Sequence, residues 1–145
     1  MWPAARAAAI LASALSASCG LGTAALRAAD GRLAPCSAPH CVSSTETRPD
    51  FRVEPLRYGG PQEDAHARLI EILKNLPRTE IIADRPDYVY AQVTTPVMRY
   101  VDDVEFVFAA PGVVELRSSS RFGYYDFGVN RNRVDLVRAM FTGQR

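Results

Sequence analysis

Two hydrophobic periods divide the chain after residue 60. Between Pro61 and Pro77 apolar residues recur every three or four positions, which is the spacing of one apolar stripe on a helix. The stripe consists of Ala65, Leu69, Ile72, Leu73 and Leu76. Pro61 suits a first helical turn and Pro77 cannot continue the helix. The pattern therefore predicts a helix over residues 61–76.

A period of two follows this helix and indicates strands. Residues 79–84, 88–94, 98–109 and 113–119 combine alternation with β-favouring side chains, and proline- or glycine-containing turns separate them. A final helix is predicted over residues 131–142, with Asn130 as its N-cap and with Val129 and Val134 as a hydrophobic staple. Short connections make neighbouring strands antiparallel. The predicted fold class is α+β, an antiparallel four-stranded sheet with both helices on one face, in the order α-β-β-β-β-α.

The third and fourth predicted strands allow their register to be predicted. Apolar residues must meet on one face of the sheet, and this requirement pairs Phe106 with Leu116. The same register pairs Glu105 with Arg117 and directs both side chains to the second face, away from the core. Asp103 and Ser119 share that face. An acidic outer surface is therefore expected.

Composition and charge are those of one ordinary globular domain. Of the 145 residues, 48% are hydrophobic and 23% are charged, and the formal net charge is +1. A nearly neutral chain lacks the positive excess that an extended nucleic-acid footprint requires. The sequence therefore predicts no nucleic-acid partner.

Residues 1–29 resemble an export segment rather than part of the fold. Arg6 precedes the apolar residues 7–17, and small residues lead to Cys19. The run Leu15-Ser16-Ala17-Ser18-Cys19 resembles the lipobox of bacterial lipoproteins, although its aliphatic residue stands one position early. The leading prediction is lipidation of Cys19 and a location in the bacterial cell envelope. Soluble export after cleavage and an uncleaved membrane anchor are the alternatives.

Residues 30–60 are rich in proline, serine, glycine and charge without a sustained period, so they are predicted to be a tether before the domain of residues 61–145. Cys36 and Cys41 lie five positions apart within this tether. In an oxidising envelope they are expected to form a disulfide. Their spacing fits neither a zinc site nor haem attachment, so no metal and no cofactor is predicted.

Arginines flank the connection between the fourth strand and the last helix. A helix N-terminus offers free N–H groups, and guanidinium groups beside it favour an anion. The residues of this predicted anion site are Arg117, Ser118, Ser120, Arg121, Asn130 and Arg131, with Arg133 beside them. An acidic cluster competes with a ligand for the same arginines. It consists of Asp102, Asp103, Glu105 and Asp126.

Three runs in the chain resemble a known family. They are PCSAPHCVSS, YVDDVEFVF and RSSSRFGYYDFGVNRNRVDLVR, and together with the residues between them they cover roughly residues 33–141. They resemble the family of domain of unknown function 1499, which occurs in bacterial envelope proteins and plastids. The family has no established activity, so the resemblance implies signature positions and no reaction. Those are Cys36, Cys41, Gly123, Gly128 and the members of the predicted anion site and acidic cluster, Arg133 excepted.

No catalytic residue is predicted. Ser118, Ser119 and Ser120 have no G-x-S-x-G context and no histidine follows them. The leading prediction is a non-enzymatic binding module for a small anion or an envelope protein. The alternative is an acid/base enzyme that uses Asp102, Asp103 and Glu105, whose crowding would raise their pKa values. It requires a pocket that holds at least two of these carboxylates.

Overall fold

The structure, a computed structural model, describes residues 31–143. This part of the chain contains eight regular elements. They are β1 (Cys41–Ser43), β2 (Leu56–Arg57), α1 (Gln62–Asn75), β3 (Thr79–Arg85), β4 (Tyr88–Thr94), β5 (Val101–Ala110), β6 (Val113–Ser120) and α2 (Val129–Thr142). Within these residues no helix is long and apolar enough to cross a membrane. The predicted export segment and its Cys19 lie outside the described residues.

The sheet is antiparallel, with strand order β1-β6-β5-β4-β3 and with β2 also paired to β6. The predicted α+β class with two helices is confirmed, but the predicted number of strands is wrong, because the sheet has six strands and not four. The two additional strands have three and two residues. Strands of this length are too short to show the alternation of apolar and polar residues that predicts a strand.

Both additional strands come from the segment that we predicted to be a tether. Val42 on β1 and Leu56 on β2 are buried in the hydrophobic core. The predicted disulfide is confirmed, and Cys36 and Cys41 are joined with an S–S distance of 2.02 Å. Residues 41–57 are therefore part of the folded domain and extend the sheet at its β6 edge.

One face of the sheet carries the core. Apolar residues of both helices pack against it in a single cluster with the inward residues of β4, β5 and β6. The amphipathic pattern of each helix explains this, since the apolar stripe is buried and the other face is left to solvent. The predicted register is confirmed, with Phe106 opposite Leu116 and Glu105 opposite Arg117.

The second face of the sheet differs from the open acidic surface that we expected. Asp103, Glu105 and Arg117 are 2%, 0% and 4% exposed. The segment before β1 and the residues after it lie against this face, since a cavity of about 630 Å³ is lined by Leu33 and Glu46 on one side and by sheet residues on the other. Polar side chains are therefore enclosed on a face that alternation alone leaves exposed.

Candidate functional site

The arginines of the predicted anion site separate in the fold and do not converge on one cavity. Arg121 donates from Nε and Nη2 to the two carboxylate oxygens of Asp103, at 2.9 and 2.8 Å. Arg131 donates to the backbone carbonyls of Arg52 and Asp50, at 2.9 and 2.8 Å. Each guanidinium thus has partners within the protein. Arg121 joins β6 to β5, and Arg131 fastens α2 to the segment between β1 and β2.

The N-terminus of α2 already holds a carboxylate. Asp126 accepts hydrogen bonds from the backbone N–H groups of Gly128 and Asn130, at 3.0 and 2.8 Å. An acidic group at this position satisfies free N–H groups and interacts favourably with the helix dipole. The prediction that Asn130 caps the helix is wrong, because the helix begins at Val129 and no side chain of the N-cap residue, Gly128, is available for the role. Asp126 instead accepts hydrogen bonds from two of the N–H groups at this end of the helix.

Asn130 is instead the centre of a buried polar network. It is fully buried, and its side-chain amide bonds to groups from three segments of the chain. These are Ser118 Oγ at 2.6 Å, Arg133 Nη1 at 2.7 Å, Asp126 Oδ2 at 2.8 Å, Ser120 Oγ at 2.9 Å and the backbone carbonyl of His40 at 2.9 Å. The amide therefore links the disulfide loop, the end of β6 and the start of α2.

Arg133 completes this network on the helix side of the sheet. Its Nη2 donates to Asp102 Oδ2 at 2.5 Å, and its Nη1 also reaches Ser118 Oγ at 3.0 Å. Sequence reasoning placed Arg133 only beside the site. A usable signal was its position three residues after Asn130, which puts both side chains on one side of a helix.

The three acids of the cluster that lie on β5 are divided between the two faces of the sheet. Asp102 points to the helix side, where it pairs with Arg133. Asp103 and Glu105 point to the second face, where Tyr90 donates to Asp103 at 2.7 Å and Tyr88 donates to Glu105 at 2.9 Å. We missed these tyrosines. Their alternation placed them on one face of β4. Only the β4–β5 register, which sets Tyr88 opposite Val107 and Tyr90 opposite Glu105, brings each hydroxyl within reach of the acid diagonally across from it.

The surroundings of Glu105 change the pKa of its side chain. Burial raises the pKa of its carboxyl group from 4.5 to about 7, and the Tyr88 hydroxyl and the Arg117 guanidinium oppose this rise only in part. The Arg117 contact is long, at 3.4 Å, and Arg117 Nε has no partner within the described residues. Glu105 is fully buried and lines neither the 630 Å³ cavity nor a second cavity of about 510 Å³ beside α2. Its carboxylate is instead in contact with Tyr88 and Arg117.

Two loops at one end of the sheet form the most unusual surface of the described residues. They are the β4–β5 loop, residues 95–100, and the β6–α2 loop, residues 121–128, and we call them together the aromatic end. Their large exposed side chains are Val97, Met98, Tyr100, Phe122, Tyr124, Tyr125 and Phe127. The rings of Tyr100 and Phe122 stack with centroids 5.9 Å apart, so the two loops are in contact.

The buried polar network holds the aromatic end in place. Arg121, at the start of the β6–α2 loop, is fixed by Asp103. Asp126, near its end, is fixed by the N-terminus of α2 and by Asn130. Between these anchors Tyr124 is 77% exposed, and Phe127, the residue after Asp126, is 86% exposed. Arg121, Asp126 and Asn130 thus hold a loop that displays aromatic side chains.

Both loops contain a residue with an unfavourable backbone conformation. Arg99 has φ 59° and Phe127 has φ 55°, in the left-handed region that residues with a side chain seldom adopt. Gly128 follows with φ 78°, which glycine adopts without a steric penalty. A strained residue persists when its surroundings fix it, and such residues cluster at functional sites. The aromatic end is therefore the candidate functional site.

Comparison with known proteins identifies the family without adding an activity. Residues 32–141, most of the chain, match the family described as Protein of unknown function (DUF1499). No curated protein and no solved structure matches the chain. The match spans the disulfide loop, all six strands and nearly all of α2. The chain belongs to the DUF1499 family.

Proposed function

We propose that the protein is a non-catalytic binding domain of the cell envelope that docks on its target through the aromatic end. One observation carries the proposal: seven large apolar or aromatic side chains are exposed in two loops that touch. Single exposed apolar residues are common on soluble proteins, but a contiguous group of them marks an interaction surface. Exposing this group to water costs free energy, and a partner that covers the group removes that cost.

The target that fits this surface is extended rather than a small anion. The guanidinium groups of Arg121 and Arg133 are bound to Asp103 and Asp102, and Asp126 accepts from the N–H groups at the start of α2. A free anion would have to displace a carboxylate of the protein at each of these positions. An apolar surface needs no such exchange, because it only has to exclude water from the aromatic rings.

The rigidity of the aromatic end supports the same proposal. A loop that is ordered before binding loses less conformational entropy when it docks. Here the side-chain bonds of Arg121 and Asp126 fix the β6–α2 loop near its two ends, and Phe127, the residue after Asp126, has a strained backbone conformation. The backbone that carries these aromatic side chains is therefore anchored near both ends of the loop.

The envelope location in this proposal comes from the N-terminal sequence. Lipidation at Cys19 would keep the domain at a membrane surface. The test is fractionation of cells that express the full chain or its Cys19→Ser variant. We expect the parent in the membrane fraction and the variant released from it; an unchanged distribution would contradict lipidation at this residue.

Site-specific photocrosslinking tests the binding surface itself. A photoreactive phenylalanine analogue replaces Tyr124 or Phe127 in the full chain, and Ile82, which is 46% exposed on β3, is the control position. In intact envelopes we expect crosslinked products from both aromatic positions and none from position 82. Absence of products at the aromatic positions, or equal products at all positions, would remove the aromatic end as the binding surface.

A further inference from the structure

We infer that the target of the aromatic end is the interface of an anionic phospholipid bilayer. The inference rests on the proposed function, because it names the surface on which the domain docks. Three properties of the two loops carry it: the chemistry of their side chains, the common end of the sheet from which they emerge, and their charge.

The side chains of the aromatic end match the interfacial zone of a bilayer. Tyr100, Tyr124 and Tyr125 combine an apolar ring with a hydroxyl group, and such amphipathic rings are enriched where headgroups meet hydrocarbon. Phe127 and Val97, by contrast, are fully apolar and suit the adjoining acyl region. One surface therefore offers groups for both layers of the interface.

The placement of the loops suits a planar target. Both leave the same end of the sheet, and the stacking of Tyr100 on Phe122 holds them side by side. Each carries one almost fully exposed apolar residue, Val97 at 84% and Phe127 at 86%. Two adjoining loop tips can enter one plane together. A protein partner would instead have to provide a pocket for each of these side chains to bury them equally.

The charge of the aromatic end favours anionic lipids. Within the two loops Arg99 is the one charged residue in the exposed class. The carboxylate of Asp126 is engaged at the start of α2, and Asp102 and Asp103 are buried against arginines. An exposed arginine beside apolar rings attracts phosphate headgroups. The one carboxylate of these loops, Asp126, is partly buried and accepts hydrogen bonds from N–H groups at the start of α2.

Fluorescence quenching by brominated lipids tests the inference on the full chain. Trp2 is the only tryptophan, so a Trp2→Phe, Cys19→Ser background removes the native fluorophore and the predicted lipid attachment. In this background Phe127→Trp places a probe on the aromatic end, and Ile82→Trp is the matched control on β3. The probe surface is a vesicle of phosphatidylethanolamine and brominated phosphatidylglycerol.

We expect quenching and a blue shift of the probe at position 127 and neither change at position 82. Adding Arg99→Glu to the position-127 probe should weaken binding to anionic vesicles at least about fivefold, since one basic residue near such a surface contributes about a factor of five. Vesicles of phosphatidylcholine should bind less, and inorganic phosphate at the same ionic strength should not displace the protein. Displacement by phosphate would instead identify a free anion as the ligand and overturn the inference.

Failure of this inference can be distinguished from failure of the proposed function. If position 127 is not quenched but crosslinks to a protein in envelopes, the domain is a binding module and its target is not the bilayer. If neither quenching nor crosslinking occurs, both proposals fall. Equal quenching at positions 82 and 127 also overturns the inference, because the domain would then be bound to the vesicle without its aromatic end facing the bilayer.

Discussion

The two faces of the sheet are almost equally buried, yet different forces hold them. Along β5, Val104 and Phe106 face the helices and are each 1% exposed, while Asp103 and Glu105 face the opposite way and are 2% and 0% exposed. The helix face is stabilised by apolar packing, which has no strict directional requirement. The second face depends on named hydrogen bonds and ion pairs, in which the loss of one partner leaves a charge uncompensated.

This difference explains why the polar residues lie where they do. Packing alone would hold the sheet and helices together, but it would not fix the path of the β6–α2 loop. Arg121 and Asn130 fix that path through directional bonds from both faces. The contacts of Arg121 and Asn130 therefore position the β6–α2 loop, and the apolar face stabilises the fold. The following predictions test this division, beginning with the largest effect.

Removal of a core ring should have the largest effect on stability. Phe106→Ala leaves a cavity in the helix face and should lower the free energy of unfolding by about 4 kcal/mol. Denaturant unfolding of the two proteins measures the loss. Phe122→Ala, which removes an exposed ring of the same size, should change it by less than about 0.5 kcal/mol. Equal losses from the two substitutions would mean that burial is not the source of stability.

Removal of one partner of a buried ion pair should have the next largest effect. Arg121→Ala leaves the Asp103 carboxylate buried and unpaired and should cost about 3 kcal/mol. In a double-mutant cycle, Asp103→Asn together with Arg121→Ala should cost clearly less than the sum of the two single changes. Arg99→Ala, at an exposed arginine, is the control.

The Arg121→Ala variant also tests the small-anion site that the sequence predicted. Thermal unfolding with added phosphate or carboxylate ligands should show no specific stabilisation of the parent protein, because Arg121 is engaged by Asp103. If such a ligand stabilises the parent, and if Arg121→Ala folds but is not stabilised, the result supports an anion site at Arg121. The role assigned here to Arg121 would then be wrong.

Stability should fall with rising pH because of Glu105. Burial raises its pKa from 4.5 in the unfolded chain to about 7 in the fold, so the folded state binds the proton more tightly. The corresponding stabilisation is complete below about pH 4.5 and is lost as the pH rises through 7. We expect a loss of about 2 kcal/mol or more from this residue between pH 5 and 8.

Glu105→Gln should remove this contribution to the pH dependence. Denaturant unfolding at several pH values should give parent and variant curves that approach each other at acidic pH and separate as the pH rises, with the variant the less pH-dependent. Glu80→Gln, at an exposed position on β3, is the matched control. Parallel curves for the parent and Glu105→Gln would contradict the raised pKa.

The smallest effect on stability is expected at the aromatic end, where the effect on docking should be large. Phe127→Gly relieves the left-handed strain but gives the unfolded chain more freedom, so the free energy of unfolding should change by less than about 0.5 kcal/mol. Vesicle binding of the same variant should fall about tenfold, because an inserted apolar ring is lost. Co-sedimentation measures this binding. A large loss of stability with unchanged binding would reverse the roles of the two regions.

Much of the fold follows from local patterns in the sequence. The helical spacing of Leu69 and Leu73 predicts α1, and alternation predicts β3 to β6 and the register of Phe106 opposite Leu116. The strands β1 and β2 could not be predicted in this way, because each is shorter than two periods of alternation. They form because the edge of β6 offers them backbone partners.

The candidate site shows the same limit. The sequence brought its arginines, acids and Asn130 into one stretch, but the choice of partners depends on groups far away in the chain. Tyr90 reaches Asp103 from β4, and the His40 carbonyl reaches Asn130 from the disulfide loop. No local period encodes such pairs, so sequence reasoning left both a ligand and an internal partner open.

The sequence by itself therefore determined the α+β class, the approximate positions of the main elements, the hairpin register and the Cys36–Cys41 disulfide, because each depends on periodicity or proximity along the chain. Only the tertiary structure decided that the second face is enclosed, that Asp126 rather than Asn130 holds the start of α2, and that the aromatic side chains are exposed. These features arise from contacts between distant segments. Burial is a property of the assembled fold and not of any one strand or helix.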